Sequence, residues 1–151
     1  MDPGADFDGT WYTYSPSQVP LGEYPGAATP KAMSEAEIAE IIAAYGSAAG
    51  RAIAAGLDGV EFHMSHGYLP WQFLSPLYNK RNDRWGGSFE NRLRFPIEAI
   101  RAIRREGVTH LLAATGPDTL GTLASDIQRN PADWGLQPIA TYDTFTLYRL
   151  R

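Results

Sequence analysis

The chain has 151 residues, of which 44% are hydrophobic and 20% charged, a composition typical of a soluble globular protein with a buried core. Its 13 Lys and Arg residues against 17 Asp and Glu residues give a formal net charge of -4, which does not favour a nucleic-acid partner. The lack of cysteine excludes disulfide scaffolds, zinc–thiolate sites and cysteine nucleophiles. Because no run reaches the roughly 18 apolar residues that span a bilayer, and no apolar segment follows the acidic N-terminus, we expect a cytoplasmic protein without membrane contact.

The first thirty residues are rich in proline and glycine, which interrupt helices and strands alike. The same segment carries Trp11, Tyr12 and Tyr14, large rings that a free tail would not normally hold. We therefore expect a loop that packs over a scaffold.

A helix is predicted over Ser34 to Ala55. Ser34 and Glu37 have the spacing of a capping box, apolar residues then recur at helical intervals, and Gly56 is a suitable terminator. The short β-branched and aromatic run that follows predicts a strand over Gly59 to Phe62. A helix followed by a short buried strand is half of a βαβ unit.

The stretch from 63 to 87 has no periodicity and is too long for an ordinary connection, which indicates a functional loop. A second helix is predicted over Ser88 to Arg105, with Pro96 kinking it or splitting off its first turn. Its apolar stripe comprises Leu93, Ile97, Ile100 and Ile103. From Gly107 an α/β rhythm is predicted to continue through a strand at Val108 to Ala114, a helical stripe at Leu120, Leu123 and Ile127, and a strand at Thr144 to Leu150.

Two imidazoles and a phenol follow the first predicted strand, in His63-Met64-Ser65-His66-Gly67-Tyr68. Barrel enzymes place catalytic groups at this end of a strand. Neutral histidines can donate hydrogen bonds that polarise a carbonyl oxygen, and a phenol can deliver a proton to an atom that develops negative charge. Together the three side chains suit the reduction of an activated double bond, and we expect them in one cleft, gathered by a turn.

Two other interpretations of the histidines stay open at this point. His63 and His66 are also explained by hydrogen bonds within a polar loop. A metal site is the third option, but the H-x-x-H spacing needs a third ligand, and His110 has no carboxylate placed near it in the sequence.

Four motifs between Gly56 and Phe95 occur in a characteristic order and spacing: His-x-x-His-Gly-Tyr, Gln-Phe-Leu-Ser-Pro, Asn-x-Arg-x-Asp and Gly-Gly-Ser-x-Glu-Asn-Arg-x-Arg-Phe. This stretch resembles the old yellow enzyme family of NADH:flavin oxidoreductases. The resemblance extends upstream through SPSQVP and PKAMSEAEIAEIIAAYGSAA, so that it covers about Ser15 to Arg104. Motifs this dense are far more specific than a lone glycine pattern.

The resemblance implies a (β/α)₈ barrel that binds FMN, accepts electrons from NADH or NADPH, and transfers a hydride from the reduced flavin to an activated alkene. It implies that His63 and His66 bind the activating oxygen of a small-molecule substrate and that Tyr68 is the catalytic proton donor. It assigns no cofactor-binding residue here. A flavin amine dehydrogenase or demethylase is the related alternative, and a non-catalytic α/β module that keeps the motif loop as scaffold is the alternative of another class.

The charged residues of the loop are predicted to be structural. Paired glycines at 86 and 87 permit a tight turn, and hydrogen bonds from the side chains of Arg81, Asp83, Glu90 and Arg92 can fasten the loop. Trp71 and Phe73 are likewise predicted to pack, although Trp71 is close enough to Tyr68 to line the rim of a cavity.

The length limits what this chain can hold, because a complete barrel of this type takes about 250 residues. We therefore predict an α/β fold in which residues 1–105 are a fragment of an FMN-binding barrel and residues 106–151 are an α/β extension without family features. The fragment is expected to bind FMN weakly or not at all, since a ring platform and a phosphate clamp are not visible in it. Homo-oligomerisation is left open.

Overall fold

A computed structural model describes residues 13–20, 29–114, 127–142 and 145–150. Its strands are β1 (Tyr14–Ser15), β2 (Lys31–Ala32), β3 (His110–Ala114), β4 (Leu136–Tyr142) and β5 (Phe145–Leu150). Its helices are α1 (Glu35–Ala54), α2 (Leu69–Leu74) and α3 (Phe89–Arg105), with a 3-10 helix at Pro131–Trp134. The predicted helical stripe at 120 and 123 lies outside the described residues, as do Trp11 and Tyr12.

The predicted helix α1 is confirmed, and its capping box is complete. The Ser34 hydroxyl accepts from the backbone N–H of Glu37 at 3.2 Å, and the Glu37 carboxylate accepts from the backbone N–H of Ser34 at 2.8 Å. This reciprocal pair satisfies two of the amide groups that a helix N-terminus leaves free. The Glu37 carboxylate also accepts from Lys31, and these bonds lower the pKa of Glu37 to about 2.

Helix α3 is confirmed as well, and it packs along α1. Ser88 caps its N-terminus by accepting from the backbone N–H of Asn91 at 3.2 Å. The predicted split of its first turn at Pro96 is wrong, because a single helix continues through this buried proline; the predicted kink there stays a prediction. The helices approach closely at Gly46, where a Cβ atom would lie 3.1 Å from the carbonyl oxygen of Ala102.

The predicted strand at Gly59 to Phe62 is wrong: residues 59–65 belong to neither a strand nor a helix. A strand exists only where a neighbour completes its ladder of hydrogen bonds, and the described residues place none beside this run. The next strand along the chain, β3, pairs with β5 instead. The local β propensity is therefore present without the partner that would make a strand.

The predicted mixture of helix and strand continues into the described part of the tail, where residues 127–129, including Ile127 of the predicted stripe, are helical. Strands β3 and β5 occur where the sequence predicts them, but β4 was not predicted, and the three form an antiparallel sheet in the order β3-β5-β4. A register shift interrupts β4 between Pro138 and Ala140. Antiparallel pairing of β4 with β5 across residues 143 and 144 needs no crossover helix.

Two hydrophobic clusters stabilise the fold, on different faces of α3. The first joins the loops and α1 to Phe95 of α3 through Met33, Ile38, Phe73 and Trp85. The second joins α3 to the tail sheet through Leu93, Ile100, Ile127, Trp134, Leu136, Tyr148 and Leu150. The tail sheet thus covers a face of α3 that includes most of its predicted apolar stripe. The division of the chain at residue 105 stays a prediction.

The N-terminal loop packs on this scaffold, as expected, where it is described. β1 pairs with β2 in parallel, Tyr14 contacts the first cluster, and Ser15 and Pro16 are fully buried. No helix in the described part of the chain is long and apolar enough to cross a membrane.

Candidate functional site

A tight turn between the extended run and α2 carries the three predicted site residues. His66 has a φ of 55° and Gly67 a φ of 79°, so two successive residues adopt left-handed backbone conformations. Such a conformation is uncommon for a residue other than glycine, although histidine tolerates it better than most. The turn closes with a hydrogen bond from the Tyr68 N–H to the Ser65 carbonyl at 3.2 Å, and α2 begins directly after it.

This turn brings the three rings together. The His63 and His66 rings stack with centroids 5.3 Å apart, and the Tyr68 ring meets the edge of His63 at 5.1 Å. Alternation along a straight strand would send residues 63 and 66 to opposite faces, so the reversal at residues 66 and 67 is what gathers them. The structure therefore brings the three predicted site residues together, while the role of each side chain stays a prediction.

Hydrogen bonds connect the histidines into a short chain. The Nε2 atom of His63 lies 3.4 Å from Nδ1 of His66, which is also 3.0 Å from the Ser65 hydroxyl. At the other end, Nδ1 of His63 lies 3.3 Å from a carboxylate oxygen of Glu61. Glu61 was not singled out in the sequence, although an i, i+2 spacing on an extended run places it on the same side as His63.

The cluster is open to solvent. Tyr68 is 61% exposed, His66 is exposed, and the Glu61 side chain retains 85% of its accessible surface. One of the described cavities, of about 360 Å³, lies instead between residues 57–60 and the start of β3. The three rings therefore form a surface group, whereas the sequence predicted a cleft.

Trp71 and Phe73 differ in their surroundings. Phe73 is fully buried and stacks on Phe95 with the ring centroids 4.2 Å apart, so its predicted packing role is confirmed. Trp71 is partly buried and contacts the Tyr78 ring at 5.2 Å. This contact places Trp71 in the packing of the loop that follows α2.

That loop, residues 75–88, is fastened by the predicted charged groups. The Arg81 guanidinium donates to the Asp83 carboxylate at 2.5 Å and to the carbonyls of Pro16 and Met33 at 3.0 and 2.6 Å. Arg92 donates to the carbonyls of Leu74 and Gly87. All of these acceptors belong to the scaffold of the chain itself, four of them backbone carbonyls and one the Asp83 carboxylate, which confirms the structural role of these arginines.

Asn79 is a structural residue that the sequence did not reveal. It is 4% exposed, and its amide donates to the carbonyls of Phe73 and Trp85 at 2.7 and 2.8 Å, while its oxygen accepts from the N–H of Arg81. One side chain thus satisfies three backbone groups in a loop without ladder bonds. The signal available was its place as the first residue of the Asn-x-Arg-x-Asp motif, which carries the family resemblance but does not state a role for the asparagine.

The metal hypothesis finds no support in residues 13–20, 29–114, 127–142 and 145–150, where no group of three or more His, Cys, Asp or Glu residues could hold an ion. His110 hydrogen-bonds the neighbouring Thr109 at 2.7 Å at the start of β3.

Comparisons with known proteins place this geometry in a family. The model of the NADH:flavin oxidoreductase / NADH oxidase family matches residues 10–115. The aldehyde reductase FrzD of Cladobotryum sp is 45% identical over 111 residues, which are 74% of this chain and 27% of that protein. An NADPH dehydrogenase of Clostridium acetobutylicum is 47% identical over 102 residues, 67% of this chain and 30% of the relative.

Solved structures give the same result. Morphinone reductase in complex with tetrahydroNAD matches with a TM-score of 0.59 and 38% identity over 65% of this chain and 30% of its own. A complex of 2-naphthoyl-CoA reductase with 2-naphthoyl-CoA matches with a TM-score of 0.60 and 39% identity over 63% of this chain and 14% of that one.

The chain belongs to the NADH:flavin oxidoreductase / NADH oxidase family, whose old yellow enzyme-type members are FMN-dependent enzymes with NADH or NADPH as reductant. It spans less than a third of the length of the relatives named above. Those structures are TIM barrels; the described residues form a mixed α/β fold without a closed barrel.

The described residues do not fit FMN as a complete site. A flavin phosphate needs a helix N-terminus or arginines that are free to bind an anion. Arg81 and Arg92 are instead bound to the scaffold, and no basic side chain in the described ranges bonds to the His63, His66 and Tyr68 cluster. Groups for an oxygen atom and a proton are present in this cluster, whereas no phosphate-binding group is joined to it among the described residues.

Proposed function

We propose that this chain carries the substrate-oxygen and proton-donor part of an old yellow enzyme-type NAD(P)H:flavin oxidoreductase that reduces electron-poor alkenes. The observation that carries the proposal is the clustering of His63, His66 and Tyr68 within 5.1–5.3 Å, at the turn where the family motif predicts them. In this proposal the two imidazoles bind the activating oxygen of the alkene, and the Tyr68 hydroxyl protonates carbon. A cytoplasmic location remains a prediction.

The role proposed for each side chain follows from its chemistry. Imidazole N–H groups placed at a carbonyl oxygen stabilise the negative charge that develops there during reduction. A phenol keeps its proton at neutral pH and can release it to a carbanion-like carbon. The chain itself accounts for oxygen binding and proton delivery, while FMN binding requires groups beyond those described.

The proposal is tested in two arms on the purified 151-residue protein. In the first, a cyclic enone is titrated and the imidazole and tyrosine ring resonances are followed by NMR. We expect His63, His66 and Tyr68 to shift, with weaker binding in His63→Ala and His66→Ala. Tyr78→Phe is the matched control, since Tyr78 lies in the scaffold loop. Enone binding that leaves the three rings unperturbed, or no binding at millimolar enone, would contradict the proposed oxygen site.

In the second arm, FMN is titrated and followed by flavin fluorescence, with NADH added afterwards. We expect no stoichiometric binding, because losing two or three charge-assisted phosphate contacts of roughly 1.5–3 kcal/mol each weakens affinity by several orders of magnitude. Tight binding, with NADH-driven bleaching that Tyr68→Phe alters, would instead show that the chain is a complete enzyme. It would also overturn the conclusion that the phosphate groups are missing.

A further inference from the structure

The glutamine that begins the Gln-Phe-Leu-Ser-Pro motif is bonded to the turn that carries the three rings. The Gln72 side chain donates from Nε2 to the carbonyl oxygen of Gly67 at 2.7 Å, and its backbone N–H donates to the carbonyl of Tyr68 at 3.0 Å. One residue of α2 therefore holds two successive carbonyl groups of the chain, one on each side of Tyr68.

These bonds account for the placement of a side chain that packing alone does little to fix. The Tyr68 ring is 61% exposed. Its backbone, in contrast, has both neighbouring carbonyls held by Gln72 and its own N–H bonded to the Ser65 carbonyl at 3.2 Å. Because the backbone sets the direction of the Cα–Cβ bond and few rotamers follow from it, these bonds limit the region that the phenol can reach.

The same bonds hold the uncommon backbone conformation at His66 and Gly67. A left-handed φ at a residue other than glycine persists only where the surroundings fix it. With φ of 55° and 79°, these two residues form the reversal that brings the His66 ring onto His63. The side-chain bond from Gln72 ends on the second of them, where the freedom of glycine would otherwise let the chain leave the turn.

Gln72 contributes less to the stability of the fold than its bond to Gly67 suggests. Because a carbonyl oxygen only accepts, the amide nitrogen must face Gly67, and Oε1 faces away from it. That Oε1 atom is screened from solvent and makes no hydrogen bond to the described residues. A buried acceptor without a donor costs free energy, which offsets much of the gain from the bond at Nε2. The stability of the fold alone therefore does not account for a glutamine at this position.

We propose that Gln72 is a positioning residue that acts through the Gly67 carbonyl and holds the turn in the form that groups Tyr68 with His63. The inference rests on the proposed function for its purpose, because a proton donor and an oxygen-binding imidazole must face the same substrate. The bonds that Gln72 makes to described residues end on backbone atoms, so it acts on the rings through the turn.

The first test is Gln72→Met in the 151-residue protein, which keeps the length of the side chain and removes the donor. We expect the backbone amide hydrogen of Tyr68 to exchange about five- to tenfold faster, as follows from the loss of one net hydrogen bond. The nuclear Overhauser contacts between the His63 and Tyr68 rings should weaken. The midpoint of urea unfolding should stay close to that of the unmodified protein.

Gln72→Glu adds a test that a purely structural role would not pass. The ionised carboxylate can only accept, so it repels the Gly67 carbonyl and should loosen the turn at neutral pH. Once protonated, the carboxyl group regains an O–H donor for Gly67. Protection of the Tyr68 amide, relative to the unmodified protein at the same pH, should therefore recover as the pH falls from about 7 to about 4, near the ordinary pKa of a glutamate.

Leu74→Met is the matched control, because it introduces a methionine in the same helix at a side chain that packs against the second cluster. It should leave Tyr68 exchange and the ring contacts unchanged. Three outcomes would overturn the proposal: an unchanged turn in Gln72→Met, a fall in its urea midpoint large enough to explain the lost ring contacts, or no recovery of Gln72→Glu at low pH. These measurements need neither flavin nor enone, so a negative enone titration would refute the proposed function without deciding the role of Gln72.

Discussion

The loop at residues 75–88 and the turn at residues 63–68 are neighbours in sequence but differ in how they use polar side chains. In the loop, Asn79 bonds to the nearby carbonyls of Phe73 and Trp85, Arg81 bonds to the distant carbonyls of Pro16 and Met33, and both leave little polar surface free. In the turn, His63 and His66 bond mainly to each other and to exposed partners. The polar side chains that hold the scaffold have their hydrogen-bonding groups satisfied by the protein, whereas the candidate site residues retain free donors and acceptors.

The largest expected effect is at Arg81. Replacing it with alanine removes the bonds to Asp83, Pro16 and Met33 and should destabilise the protein by about 3 kcal/mol, since the group is mostly buried and its acceptors lose their donor. The midpoint of urea unfolding measures this. Arg94→Ala is the control, because Arg94 is exposed, and should cost less than about 1 kcal/mol. Equal losses in the two variants would remove the distinction drawn for the loop.

A smaller effect is expected at Gly86. A Cβ atom there would lie 2.5 Å from the Cβ and carbonyl oxygen of Arg81, so Gly86→Ala should cost roughly 1–3 kcal/mol through overpacking. Gly59→Ala provides the comparison, because nothing lies within 4 Å of its added methyl group and its φ is not in the left-handed region. Thermal unfolding should show Gly59→Ala to be neutral or slightly stabilising; a loss as large as that of Gly86→Ala would contradict the steric argument.

The loss of folding stability at low pH should depend on Asp83. The hydrogen bonds from Arg81 lower the pKa of Asp83 below its ordinary value near 3.9, despite partial burial that opposes the shift. A lowered folded-state pKa gives stability that is fully present above the unfolded value and is lost as the pH falls through the folded one. Unfolding measured from neutral pH down to about pH 2 should therefore show a steeper loss below about pH 4 in the unmodified protein than in Asp83→Asn. Parallel curves would mean that the pair contributes nothing.

The smallest effect on stability is expected at the turn. Tyr68→Phe and His63→Ala should change the free energy of unfolding by no more than about 0.5 kcal/mol, because both side chains lie at the surface and neither bonds to the scaffold. Urea unfolding of both variants tests this alongside Arg81→Ala. A loss above about 2 kcal/mol at either position would assign that residue to the scaffold.

Local sequence patterns were sufficient to predict the helices and strands whose formation depends on interactions between residues close in sequence. Ser34 and Ser88 cap α1 and α3 as predicted, and the alternation that buries Thr146, Tyr148 and Leu150 matches the predicted strand β5. The predicted strand at 59–62 failed because a strand also needs a partner, which no local pattern supplies. β4 was missed because Pro138 interrupts its pattern, and proline argues against a strand except at an edge or a bulge.

The candidate site was only partly accessible from the sequence. Family motifs and residue chemistry pointed to His63, His66 and Tyr68, but their grouping depends on the left-handed backbone of His66, which residue type does not predict. Glu61 and Asn79 were missed for a common reason. Each lies close to particular atoms, 3.3 Å from an imidazole and 2.7 Å from a carbonyl, and such distances appear only once the backbone path is known.

The strand order β3-β5-β4 has a consequence for behaviour at high concentration. It leaves β3 and β4 as the two edges of the described sheet, where unpaired backbone groups can recruit a strand from another molecule. β4 is protected, since Pro138 lacks an N–H and the adjoining register shift disrupts a continuous ladder. β3 has no such protection in its sequence, and it presents Leu112 with 64% of its surface exposed. Within the described sheet, β3 is therefore the edge open to such pairing, and a charged residue at position 112 is the substitution that would protect it.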